Sequence, residues 1–415
     1  MQELRYELED VPKFRDLVLI SVQWLLITVP ILIIGGRIVA EMHFDDAVDK
    51  MNYMQKVFLI SGLTLMAQLF FGHKLPIVSG PPAVLIVGIY TTLESGFDAI
   101  YTSIAICGIV LSLIALSGKM NSLQKLFTDN VITALLLLIP FSLAPIILEM
   151  LVDGDAIFNV LFSIAAVLTL FWVGRKIRGL WDSMVLLALV FGSVVYLAFF
   201  PLEVSGVPRF EFLSTPSAGF EFSLRPEVLL VFLLCYLALA VNDISSIYST
   251  GKILNAEGLD ERLKKGVSIT GLFNFLSGLL GVIGTVNYTL SPGVIRATRS
   301  SARAALVPAA LALIAIAFIP WIIFVFSVIP RAVVASVFLL ILCHQIAVAL
   351  GRLKAYEEES GIVIGFPILV GVLISFLPKD ALTNNYLAKA FLGNSFLVGI
   401  ILAIFLEHVI FKRKR

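Results

Sequence analysis

Runs of roughly twenty apolar residues, separated by short charged or Gly/Pro-marked stretches, recur from one end of this 415-residue chain to the other. A bilayer's hydrocarbon core is crossed by about 20 helical residues, and only helices or closed barrels satisfy their backbone there. The runs are uniformly Leu/Ile/Val/Phe/Ala rather than alternating, which selects helices. The expected fold is therefore an all-α integral membrane protein. A soluble domain is excluded because 59% of the residues are hydrophobic, 14% are charged and the mean hydropathy is +1.00.

Fourteen segments follow from the runs: 17–36, 55–72, 82–94, 98–117, 130–150, 156–173 and 181–200, then 227–251, 267–284, 292–300, 303–326, 331–351, 361–377 and 391–411. The third and tenth are too short to span alone. Each follows a break in an apolar region, Val78 to Leu85 and Thr285 to Val294, with Gly80, Pro81 and Pro82 in one and Pro292 and Gly293 in the other. Pro82 and Pro292 stand 210 positions apart, the same offset as the first segments of the two halves near Leu17 and Glu227. This predicts a repeat, residues 13–200 and 227–411, joined by an extracytoplasmic linker over 201–226.

With both termini cytoplasmic, 22 of the 30 basic residues fall on the inner side and 8 on the outer. Seven crossings per repeat then make the second copy enter from the opposite face, an inverted repeat of seven plus seven segments. The expected place is the cell membrane, plasma or inner, with the first helix retained because no small-residue cleavage site follows it. Lys412 to Arg415 reads as an anchor at anionic headgroups, not a nucleic-acid patch.

Broken segments at matching places in two halves point to a secondary transporter and its substrate site. No Walker-type sequence is present, so any uphill transport draws on an ion gradient, H⁺ or Na⁺, and no enzyme chemistry is expected. Cys107, Cys235 and Cys343 lie singly in apolar runs and give no metal or redox site; no cofactor or metal is expected. Prolines suit the start of each short helix, whose exposed amides favour ligand groups that accept hydrogen bonds or carry negative charge.

Segment eight carries the most polar membrane face. Asn242, Ser245, Ser246 and Ser249 follow the i, i+3, i+4, i+7 stripe of one helix side and are candidates to line the cavity. Asp243, a carboxylate at membrane depth, is the candidate coupling residue; the alternatives are an ion pair with Arg296 or Arg299 and a looser position near the membrane surface. His344 and Gln345, with Glu407 and His408, are expected in peripheral helices as packing or interfacial groups, and Gln23 and Trp24 as possible cavity contacts.

At these residues the chain resembles the nucleobase-ascorbate transporter family, the xanthine and uracil permeases. The resemblance runs through Pro76 to Pro82, Leu126 to Thr128, Leu276 to Gly281, Asn287 to Thr289, Gly293 to Arg299 and Ile329 to Val333. It implies a core domain of segments one to four and eight to eleven, a gate domain of the rest that also forms a homodimer, and alternating access between them. It places the substrate at Ala83, Asn242, Ser245, Ser246, Tyr288, Thr289 and Leu290. Asn242 stands where the family carries a glutamate on helix eight, Leu290 where a second stands, Ala83 where an aromatic stacks, and Trp24 where histidine follows glutamine. The function implied is a permease of the xanthine/uracil type moving a nucleobase-like or other heterocyclic solute; the alternative is an anion transporter or channel resembling the sulfate permeases.

Overall fold

A computed structural model describes residues 4–118, 126, 128–176, 184–201, 221–288, 291–353, 358–376 and 395–411, with only the backbone of 292, 293, 296 and 297. These form helices α1 (Phe14–His43), α2 (Ala47–Phe70), α3 (Ala83–Thr92), α4 (Phe97–Leu116), α5 (Asp129–Val152), α6 (Ala156–Lys176) and α7 (Met184–Phe199). The second half supplies α8 (Pro226–Ile253), α9 (Leu259–Leu279), α10 (Ser291–Thr298), α11 (Leu306–Ala317), α12 (Pro320–Ser327), α13 (Arg331–Leu350), α14 (Glu358–Ser375) and α15 (Ser395–Phe405). Two short strands, β1 (Ser79–Gly80) and β2 (Val286–Asn287), precede α3 and α10. Among the described residues, seven helices are long and apolar enough to cross a bilayer, and the bent pair formed by α11 and α12, taken as one span, makes an eighth.

Local chemistry accounts for most boundaries. Asp46 caps α2 by accepting from the Val48 and Asp49 amides, and Thr128 caps α5 through the Val131 amide. The charged start of α9 corrects the sequence expectation. The helix begins at Leu259 rather than near 267, because Asp260, Glu261, Lys264 and Lys265 lie on a helix whose Glu261–Lys265 pair, 2.7 Å apart, has i,i+4 spacing. It also stops early, at Leu279, where Gly281 turns the chain with a φ of +63°. The eleventh segment is likewise not one helix. Pro320 drives Ile319 to an extended φ of −115°, and α11 and α12 meet at 83°. The expected linker lies largely at 202–220, outside the described residues; its end is held to α4 by Glu221 N–H to Asp98 and Ser223 N–H to Thr102.

The helices sort into two packed groups. In one, α4 packs on α9 and α8, α2 on α11 and α1, and α3 on α8; in the other, α5 packs on α13, α14 and α15, while α13 also meets α6 and α7. Numbered by segment, exchanging each partner for its counterpart in the other half maps this pattern onto itself. The pairs four–nine and two–eleven exchange, as do three–eight and one–ten, five–fourteen and seven–twelve, and five–thirteen and six–twelve. The two halves are thus interlocked rather than side by side. At the α4–α9 crossing the backbones nearly touch: a Cβ on Gly271 would lie 2.5 Å from Ser112 N. Small residues permit this close approach where lipid gives helices no hydrophobic drive to associate.

Candidate functional site

An extended backbone buried among membrane helices must find a partner for each amide. Between α9 and α10 the chain runs extended, and three alternate amides turn to side chains of three helices. Ile283 N–H donates to Tyr53 Oη of α2 (2.9 Å), Thr285 N–H to Asn274 Oδ1 of α9 (2.9 Å) and Asn287 N–H to Asp243 Oδ1 of α8 (2.9 Å). The opposite edge pairs with the other break: β1 and β2 are antiparallel, with Ser79 opposite Asn287 and Gly80 opposite Val286, and Tyr288 N–H donates to Val78 O at 2.9 Å. The two interruptions seen in the sequence therefore satisfy each other's backbone.

Fully buried side chains lock this junction. Asn287 Oδ1 accepts from Ser79 Oγ at 2.7 Å and lies 3.3 Å from His73 Nε2, and its amide donates to Thr270 Oγ1 at 3.3 Å. Leu75 N–H donates to His73 Nδ1 at 2.9 Å, which leaves Nε2 to carry the proton toward Asn287. Gln68 Nε2 also donates to Thr270 Oγ1, at 3.0 Å. Thr270 thus accepts twice, and its own proton is left to turn toward Asp243, which lies beside it. Asp243 Oδ2 is buried with no partner in hydrogen-bonding geometry among the described residues. At Gly80 the chain passes so close to α1 that a Cβ would sit 2.7 Å from Leu32 Cδ2 and 2.8 Å from Tyr288 Oη. That hydroxyl donates to Pro81 O at 2.8 Å.

Beside the junction lies a cavity of about 440 Å³ between the two helix groups. The first group contributes Pro81, Pro82, Ala83 and Val84 at the start of α3, Asn242 and Ser245 of α8, Tyr288, and Ile27 and Ile31 of α1; the second contributes Leu135 and Leu136 of α5 and Phe338, Ile341, His344 and Gln345 of α13. The lining continues to Arg352 just beyond the end of α13. No carboxylate lines it among the described residues. The other end of α13 is closed by ion pairs. Arg331 joins Glu41 of α1 (3.0 Å) and Asp153 after α5 (2.7 Å), while Arg37 pairs with Glu41 (2.8 Å) and donates to the Ile329 carbonyl.

The candidates divide accordingly. Ala83, Asn242, Ser245 and Tyr288 are brought together at the cavity, with Pro81 and Pro82. Thr289 and Leu290 lie outside the described residues, as do the side chains of Pro292 and Gly293. Ser246 is buried behind the wall instead, with its hydroxyl 2.7 Å from Asn287 O and 2.9 Å from Asn242 O. Asp243 sits behind the wall with it. Ser249 turns outward, and Trp24 is packed in an apolar cluster away from the lining. His344 and Gln345, expected at the periphery, line the cavity because the α13 face running through Phe338, Ile341, Gln345 and Val348 turns toward the other group. The signal available in the sequence was that stripe's i, i+3, i+7, i+10 spacing.

A family model described as Permease family, Xan_ur_permease, matches residues 15–380. The chain is 25% identical to the putative purine permease YwdJ of Bacillus subtilis, with 96% of this chain and 97% of that one covered. It is 23% identical to the nucleobase transporter PlUacP of Paenibacillus larvae (86% and 87% covered), and 24% identical to the B. subtilis uric acid permease PucK (85% and 84%). Among solved structures, the transmembrane domain of the cyanobacterial bicarbonate transporter BicA superposes with a TM-score of 0.63 at 16% identity, covering 88% of this chain and 97% of that one. The murine anion transporter Slc26a9 gives 0.60 at 16% identity, covering 97% and 69%. The latter two establish the fold alone. By the span of the family match, this chain is a multi-pass membrane protein that belongs to the xanthine/uracil permease family and is a transporter rather than an enzyme.

Proposed function

We propose that the protein is a secondary transporter that carries a nucleobase or closely related heterocycle across the cell membrane by alternating access. The carrying observation is the cavity, which lies where the two helix groups meet and is lined from one side by the start of α3, Asn242 and Ser245 and from the other by α13. The relatives' names as purine, nucleobase and uric acid permeases support the substrate class. The α1–α4 and α8–α12 group is the core and the remainder the gate. In this reading α3 and α10 are half-helices within fourteen segments of an inverted repeat, both termini are cytoplasmic, and the gate pairs with a second copy. The ion pairs at Arg331 close the outer side while the cavity reaches toward Arg352 and the cytoplasm.

Asp243 is the coupling residue, binding H⁺ or Na⁺ at its unpartnered Oδ2. It reports occupancy to the cavity through Asn287 and the adjacent Tyr288, whose amides point to opposite edges of the extended run and tie Asp243 to the first break. A second reading, an anion transporter, is favoured by the fold neighbours and by a lining whose only formally charged side chain among the described residues is the cation of Arg352. Uptake of radiolabelled uric acid, xanthine and uracil by cells expressing the protein tests the first reading, and absence of uptake for every base would refute it.

A further inference from the structure

Pro140 interrupts α5, and a proline has no N–H to give the carbonyl four residues earlier. That carbonyl, Leu136 O, is filled from the other side of a helix interface: Gln345 Nε2 of α13 donates to it at 3.1 Å. The bond fixes the amide of Gln345. With one N–H of Nε2 on Leu136 O, the amide is oriented and Oε1 is its one acceptor, and Gln345 lines the same cavity as Ala83, Asn242 and Ser245. Oε1 takes part in no hydrogen bond among the described residues, and it is not sealed off as a buried orphan. Among the described residues the core wall holds no carboxylate, and its Tyr288 hydroxyl proton is committed to Pro81 O. The start of α3 offers donors only.

We infer that Gln345 is a specificity-determining residue, whose Oε1 accepts a ring N–H of the transported heterocycle from the gate side. The inference rests on the nucleobase reading above. Core and gate then hold complementary halves of the ligand. Core amides meet its oxo groups and the gate oxygen meets an N–H, so a ligand carrying both draws the two groups together. A ligand without that N–H leaves Oε1 desolvated and unpaired, which a site built for a hydrogen bond rejects.

The test compares wild type with Gln345→Met in uptake of uric acid, xanthine and their singly N-methylated forms. In wild type, one methylated form should lose about tenfold in KM relative to its parent, the effect of one hydrogen bond of about 1.4 kcal/mol. In Gln345→Met that difference should vanish, because KM for the parent compound rises toward that of its methylated form. A purely structural role on Leu136 would lower stability but leave the methylation differences intact, and equal differences in both proteins overturn the inference. If wild type takes up none of the bases, the nucleobase reading falls separately. Gln345→Cys in a Cys343→Ala background then decides the cavity-facing position: labelling by a water-soluble maleimide sustains it, and no labelling overturns it.

Discussion

Replacing Asp243 separates a structural duty from a coupling duty. Its Oδ1 accepts the Asn287 amide at 2.9 Å, one of three side-chain acceptors that hold the extended run before α10, while Oδ2 has no partner in hydrogen-bonding geometry among the described residues. Asparagine keeps an oxygen for the amide and removes the titratable group. Alanine leaves the amide unpaired where water is excluded, at a cost of about 1.5–3 kcal/mol for a hydrogen bond to a charged acceptor. Asp243→Ala should therefore melt well below wild type in detergent, with Asp243→Asn much closer to it. For coupling, one net charge per cycle across about 100 mV supplies about 2.3 kcal/mol, which sustains about fiftyfold accumulation. In proteoliposomes with an imposed potential and ion gradient, wild type should approach that ratio. Asp243→Asn should equilibrate substrate to a ratio near one while retaining exchange. Undiminished accumulation by Asp243→Asn refutes the coupling assignment, and equal stability of the Ala and Asn proteins refutes the clamp.

Further outcomes follow from the same geometry. Asn274→Ala removes the acceptor for Thr285 N–H and the donor to Thr285 O, so thermal denaturation should show a loss of about 2–3 kcal/mol and substrate affinity should fall with it. Gly271→Ala places a methyl 2.5 Å from Ser112 N and should destabilise by about 1–3 kcal/mol in the same assay, whereas Gly361→Ala, with open space around it, should not. Asp153→Asn weakens its pair with Arg331, whose members are 54% and 43% exposed, so solvent discounts it to about 0.5–1 kcal/mol. The predicted readout is about two- to fivefold faster labelling of Asn242→Cys from the external face, and slower labelling would contradict the closed outer side.

Much of the architecture was legible in the sequence because lipid simplifies the problem. Apolar length gives crossings, and the offset from Pro82 to Pro292 located two breaks that the structure pairs as β1 and β2. What escaped was partnership across space. Nothing local marks His73 as the clasp on Asn287, or Tyr53 as an acceptor for Ile283 N–H, since their partners lie more than two hundred residues away. The serine stripe of α8 was visible, but its width was not: Ser245 faces the cavity, whereas Ser246, 100° round the helix, faces β2. Gln345 was misplaced because the stripe of Phe338, Ile341, Gln345 and Val348 lies on a helix apolar on nearly every side, where spacing alone does not separate a face on protein from one on lipid. Its explanation lies in another helix, at Pro140.

Substrate class is the central claim, and direct flux measures it. Purified protein in liposomes, given an inward ion gradient, should accumulate uric acid, xanthine or uracil and should move bicarbonate, chloride and sulfate no faster than protein-free liposomes. Anion flux with no nucleobase uptake would contradict the account and assign the cavity to the anion-transporting reading.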